Sequence, residues 1–265
     1  MSNPLKIQYK DDKNLNARIA LHRRFDVNPY SWQRWVFEHY ALPTDARILE
    51  LGCGPADLWR ENADRIPAGW NITLTDFSEG MIAAARRNLA ALERPFAFKQ
   101  ADAQDLPFAT ATFDAVIANH MLYHVPDRPR AFAEIRRVLK PGGKFYAATN
   151  GEQHMRELWR LYEPTIPGCH ARVLATAGGF LMENGAAQLE AAGFVDVVWH
   201  NYVNALAVTD VEPLIAYAQS SNTLMDHVWT EAELSAVRAA VTARIAAEGA
   251  FHIGKVAGLF ASHLP

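Results

Sequence analysis

The sequence predicts an α/β protein: a doubly wound sheet of seven strands, mostly parallel, with an antiparallel last strand and a helical insert before it. Three observations carry this reading. Half of the 265 residues are apolar, enough for a sizeable core. From residue 46 to about 150, short apolar strand-like runs alternate with helical ones, the pattern of a parallel sheet covered on both faces. Beyond residue 150 helical runs dominate, and two longer β-branched and aromatic stretches interrupt them.

The elements follow in order. ARILEL (46–51) reads as a buried strand and ADLWRENADRI (56–66) as a helix. NITLTDF (71–77) is the second strand. SEGMIAAARRNLAAL (78–92) is a helix with Ser78 as its N-cap. PFAFKQAD (95–102) and FDAVIANH (113–120) are the third and fourth strands. RPRAFAEIRRVLK (128–140) is a helix stopped by PGG, and KFYAAT (144–149) is the fifth strand. Residues 151–164 and 183–194 read as helices, the latter ended by Gly193. VDVVWHNYVNALAV (195–208) and AFHIGKVAGLFASHL (250–264) read as neighbouring antiparallel strands. Between them lie two helical runs, VEPLIAYAQSS and TEAELSAVRAAVTARIAAEG. In the first, Leu214, Tyr217 and Ala218 share one face.

Composition excludes several classes. A formal charge of −3 exerts no general pull on nucleic acid or anionic membrane. Cys53 and Cys169 cannot form a disulfide framework. The N-terminal residues are polar and charged, unlike a secretory signal, and no apolar run reaches the roughly 18 residues of a membrane span. The expectation is a soluble cytoplasmic α/β protein.

The chemistry centres on ELGCGPAD (50–57). Ligands of open α/β sheets sit at the carboxyl ends of the strands, and Gly52 and Gly54 lie there, after the first strand. A dinucleotide fingerprint needs a third glycine, and position 56 is alanine. Asp57 sets a negative charge where a pyrophosphate would lie, which favours a cationic or neutral ligand.

Five motifs in this order, over residues 46–149, resemble the class I S-adenosylmethionine-dependent methyltransferases, most closely the small-molecule branch with the ubiquinone and menaquinone methyltransferases. The resemblance implies a Rossmann-like core that binds S-adenosyl-L-methionine. Glu50, Gly52 and Gly54 match the first motif. It further implies that Asp76 in LTDFSEGMI binds the ribose hydroxyls and that Phe77 packs near the adenine. Asp102, with Ala103 beside it, would take the adenine amino group, and Asn119 and His120 would lie beside the methionine part. The implied organisation is an N-terminal helical cap (1–45), a cofactor-binding core (46–208), a helical insert forming part of the substrate wall (209–249) and a final core strand (250–265).

His120 and His124 are four apart, a spacing that shares one face on a helix, and each is a candidate general base. A histidine at the place of His124 is often structural in the family. No third ligand of matching spacing accompanies the pair, so no metal is expected. Tyr9 precedes the first helix and is a candidate to fold over the pocket with its ring against the sulfonium. The leading expectation is methyl transfer to a small organic acceptor. One alternative is a cyclase in which the cofactor's α-amine attacks its own γ-carbon, releasing methylthioadenosine and azetidine-2-carboxylate, with Tyr9, Tyr30, Trp32, Asn119 and Asn150 around it. Another is a non-catalytic cofactor-binding module. ANHM after the fourth strand is unlike the NPPY-type tetrapeptide of amino methylation, and no basic, aromatic-interleaved face suggests a nucleic-acid acceptor.

Overall fold

The computed structural model describes residues 20–177 and 179–265. Its strands are β1 (Arg47–Leu51), β2 (Asn71–Asp76), β3 (Phe96–Gln100), β4 (Phe113–Asn119), β5 (Leu139–Asn150), β6 (Val195–Val208) and β7 (Phe251–His263). They form one seven-stranded sheet in the order β3-β2-β1-β4-β5-β7-β6. β1 pairs in parallel with β2 and β4, β2 with β3, and β4 with β5, while β7 runs antiparallel to β5. Strand order reverses between β1 and β4, so the ligand crevice of such a sheet opens beyond the carboxyl ends of these two strands.

The chain divides into two compact units. The first comprises Tyr30–Asn150, Phe180–Tyr202 and Ala257–Pro265 and holds β1–β5. β1 and β4 are buried almost throughout, as strands covered on both faces must be. The helix Glu79–Leu89 starts where Ser78 Oγ accepts from Met81 N (3.3 Å). It buries Met81, Ile82, Ala84, Ala85 and Leu89 and ends on Arg86 and Arg87, which suit the negative end of the helix dipole. The helix Arg128–Val138 starts at Asp127, which caps Arg130 N at 3.0 Å.

Two expectations need correction here. The helix expected over 56–66 spans only Asp57–Glu61. The reason is Asn62: its buried amide donates to Leu58 O (2.8 Å) and Gln33 O (2.9 Å), competing with the backbone for a helical carbonyl. PGG does not separate helix from strand either. The helix ends at Val138 and β5 begins at Leu139, passing through the glycines with a shift of register between Phe113 and Ala115. Gly142, at φ +73°, donates to Leu264 O at 3.0 Å.

The second unit comprises the described residues before Tyr30, Gly151–Gly179 and Val203–Val256. Its core gathers Leu21, Phe25, Trp159, Tyr162, Trp229 and Phe251 with the face Leu214, Tyr217 and Ala218 of the helix Val211–Ser220. That face is therefore packed within its own unit. The helix Glu231–Glu248 has a reciprocal cap between Thr230 and Glu233 and ends at Gly249, φ +81°. Lys255, nearly buried, pairs with Asp26 at 2.7 Å. The helix Cys169–Ala177 was not anticipated from the sequence.

Candidate active site

β1 runs out at Leu51 into a loop whose alternate residues, Gly52, Gly54 and Ala56, have φ of +65°, +53° and +63°. A Cβ on Gly52 would meet the Met121 Cβ at 2.8 Å, so glycine is required there by space as well as by φ. Beside Gly54 the space is open to 4 Å. Ala56 stands where a third glycine would be and takes the left-handed conformation at a cost of about 1–2 kcal/mol. The loop is tied to β2: Cys53 N donates to Thr75 O (2.9 Å) and Gly54 N to Asp76 Oδ2 (3.0 Å).

Two carboxyls face this loop. Asp76, at the end of β2, also accepts from Ser78 N on Oδ1 (2.8 Å), and burial raises its pKa. Glu50 is 2% exposed and accepts from Trp59 Nε1 on Oε2 at 2.6 Å. Burial first, and the charge of Asp76 in addition, push its carboxyl up to about 7. Beside it, at the end of β4, Asn119 Nδ2 donates to the Tyr40 hydroxyl (3.0 Å). Asn119 Oδ1 is buried without a hydrogen-bond partner among the described residues.

Glu50 gives a pH prediction. Its carboxyl holds a proton in the fold that the unfolded chain, with the usual value of 4.5, releases. Glu50's contribution to stability therefore falls as pH rises from about 4.5 to about 7, by about 3 kcal/mol in total. Urea unfolding of Glu50→Gln alongside the wild type across this range is expected to show a flatter pH dependence in the variant. Parallel curves would remove Glu50 as the source.

The other expected site residues lie on neighbouring loops of the same unit. Phe77, after β2, is 41% exposed. Asp102 accepts from Gln104 N and Nε2, both at 2.9 Å, and Ala103 beside it is buried. His120 follows β4 directly with φ +53°, its N–H held by Ala148 O at 3.0 Å and its ring 4.9 Å from Trp32. Trp32 in turn meets Trp35 at 5.2 Å and Tyr202 at 5.3 Å.

The shared helical face proposed for His120 and His124 does not form. His120 is left-handed and outside any helix, and His124 ends the single 3₁₀ turn Leu122–His124 with its ring 4.5 Å from Tyr123. Among the described residues no group of three or more His, Cys, Asp or Glu side chains is placed to hold a metal. Asp57 does not present a bare charge to the loop, because Arg60 pairs with it at 2.5 Å. Burial pushes the Cys53 thiol well above its usual range, consistent with a small packing residue. Tyr9 lies outside the described residues. Trp59 and Tyr40 were not anticipated as polar partners, and no sequence signal separates that role from plain packing.

Residues 49–147 match the family model described as a methyltransferase domain. Demethylmenaquinone methyltransferase of Symbiobacterium thermophilum is 32% identical over 148 residues, covering 51% of this chain and 59% of that protein. This chain carries a class I methyltransferase domain. The domain is similar to those of the ubiquinone/menaquinone methyltransferases, and the cofactor of this domain family is S-adenosyl-L-methionine. Malonyl-[acyl-carrier protein] O-methyltransferase of Geobacter sulfurreducens is 38% identical over 122 residues, 46% of this chain and 45% of that one. The chain thus spans less than two thirds of the length of these curated relatives. The fold is shared with phosphoethanolamine N-methyltransferase 2 of Haemonchus contortus: TM-score 0.64, 18% identity, covering 100% of this chain and 60% of that one. No helix among the described residues is long and apolar enough to cross a membrane.

Proposed function

We propose that this methyltransferase domain moves a methyl group from S-adenosyl-L-methionine to a small organic acceptor by in-line displacement. The observation that carries the reading is the convergence, at the β1/β4 reversal, of a glycine loop, the carboxyls of Glu50 and Asp76, and the Asn119 carbonyl, the loop open beside Gly54 and the carbonyl unpartnered among the described residues. These groups fit the cofactor's chemistry: oxygens that accept hydrogen bonds and attract a cation, around backbone that can be approached closely. The bound cofactor supplies a methyl group activated by a sulfonium.

The chain's residues take the following roles. Gly52 and Gly54 admit the methionine part, with Glu50, Asn119 and His120 around it. Asp76 keeps lone pairs beyond its two backbone bonds for the ribose hydroxyls. Asp102 accepts from the adenine amino group beside Ala103, and the exposed ring of Phe77 offers the base an apolar face. Proximity and alignment supply most of the rate. His120, beside Trp32, is the base for an acceptor that starts protonated; His124, against Tyr123, is the alternative.

The relatives' names span carbon acceptors on quinones and an oxygen acceptor on an acyl carrier, so the acceptor is sought among small phenols and carboxylic acids. Nothing in the comparisons favours the ring-closing alternative. Mass spectrometry of the protein with S-adenosyl-L-methionine, alone and with such acceptors, tests the proposal. S-adenosylhomocysteine that forms only with acceptor supports it. Methylthioadenosine formed without acceptor would overturn it in favour of ring closure, and a cofactor that binds but is not consumed with any acceptor would leave a binding module.

A further inference from the structure

Four side chains in the sheet unit form one polar chain, the buried Trp59, Glu50 and Tyr40 and the half-buried Asn119. Glu50 comes from β1 and Asn119 from the end of the adjacent β4. Trp59 is fully buried, and an indole N–H is a donor with no other hydrogen-bonding capacity, so its bond to Glu50 Oε2 fixes the rotation of that carboxyl. The Tyr40 hydroxyl accepts from the amide nitrogen of Asn119, and the Glu50 carboxylate, which when ionised can only accept, bonds the same side chain, so the nitrogen end of that amide is taken. What remains is a carbonyl oxygen, buried and without a hydrogen-bond partner among the described residues. Tyr40 is itself held. Its ring lies 4.9 Å from that of Tyr146, whose hydroxyl accepts from Ala41 N at 3.0 Å.

We propose that Trp59 and Tyr40 are positioning residues for the cofactor's cationic end: Trp59 aims the carboxylate of Glu50, and Tyr40 holds Asn119 with its carbonyl oxygen presented as an acceptor. This rests on the reading that Glu50 and Asn119 face the methionine part of S-adenosyl-L-methionine. The physical logic is complementarity. A buried carboxyl, and a buried carbonyl without a donor among the described residues, are both costly, and a cation bearing N–H donors satisfies both. Rotation of the Asn119 amide would instead turn N–H donors toward the cation and set the amide oxygen against the ionised Glu50 carboxylate, which cannot donate; the bond to Tyr40 adds to the hold on the side chain.

The arrangement also sets where on the pH scale the site works. Around Glu50 stand Asp76 from β2, Cys53 from the glycine loop and the Tyr40 phenol. Burial keeps the thiol and the phenol protonated, so Asp76 is the charged neighbour and disfavours ionisation of Glu50. The Trp59 N–H favours it. Removing that donor moves the ionisation of Glu50, and with it cation binding, to higher pH.

The test is calorimetric binding of S-adenosyl-L-methionine to the full chain and its variants. Trp59→Phe keeps an aromatic ring and removes the N–H; it is expected to bind about tenfold more weakly near pH 6.5 and within about threefold of wild type near pH 8.5. Tyr40→Phe is expected to bind about three- to tenfold more weakly at both values, with kcat at saturating cofactor changed less than affinity. An unshifted pH profile in Trp59→Phe together with wild-type affinity in Tyr40→Phe would overturn the proposal. If Trp59→Phe fails to fold, the affinity of Tyr40→Phe decides alone. Glu50→Gln separates the two levels: if it binds as wild type at every pH, the placement of the cofactor beside Glu50 is wrong. If it binds weakly while the two positioning variants bind normally, only the positioning role is lost.

Discussion

Replacing Asp76 with alanine is expected to weaken the binding of S-adenosyl-L-methionine ten- to a hundredfold, roughly 1.5–3 kcal/mol. Two losses combine. The ribose hydroxyls lose a charged acceptor, which makes the stronger class of hydrogen bond. The glycine loop also loses its tether, because Gly54 N and Ser78 N both donate to this carboxylate. Asp76→Asn separates the two, since its amide oxygen can keep one tether but it offers no charge to the ribose. Isothermal calorimetry on folded protein measures both variants. An affinity equal to wild type in Asp76→Ala would take this residue out of the site altogether.

Tyr217→Ala is expected to cost about 3–5 kcal/mol of stability, the usual price of truncating a buried aromatic. Tyr217 is nearly buried among Leu214, Ala218, Met155 and Trp229, and its hydroxyl reaches Met155 Sδ at 3.5 Å. Denaturant unfolding reads the loss. Turnover of the folded fraction then tells what else the helix Val211–Ser220 does. Unchanged turnover makes this face scaffold for its own unit. Turnover that falls further than the folded fraction supports the expectation that the insert at 209–249 shapes the acceptor site.

The strands were the most legible part of the chain. Val195–Val208 has the bounds its β-branched and aromatic run predicts, and β1, β2 and β4 differ from expectation by a residue or so at their ends. Caps were legible too, because Ser78 acts locally through a backbone N–H three residues away. The short helix Asp57–Glu61 was not, since its stop depends on how Asn62 meets Gln33, far off in sequence. In the site, the acidic and glycine positions announce themselves by type and order. Trp59 and Tyr40 do not: the same residues would look identical as plain core, and only the approach of β1 to β4 turns them into hydrogen-bonding partners. The left-handed backbone of His120 was equally hidden, because histidine carries no marker for it.

The pairing of Lys144–Asn150 with Ala257–His263 has a consequence for how the chain matures. β7 lies between β5 and β6 in the sheet, yet it follows both in the chain. While the ribosome is making the helices up to Glu248, β5 presents an open edge and β6 lacks the strand that joins it to the sheet. Contacts of such long sequence separation form late and slowly, and an unpaired edge in the interim invites pairing with other chains. Nascent chains halted before residue 251 should therefore depend on chaperones, and the sheet should complete itself in one late insertion of the strand next to its edge.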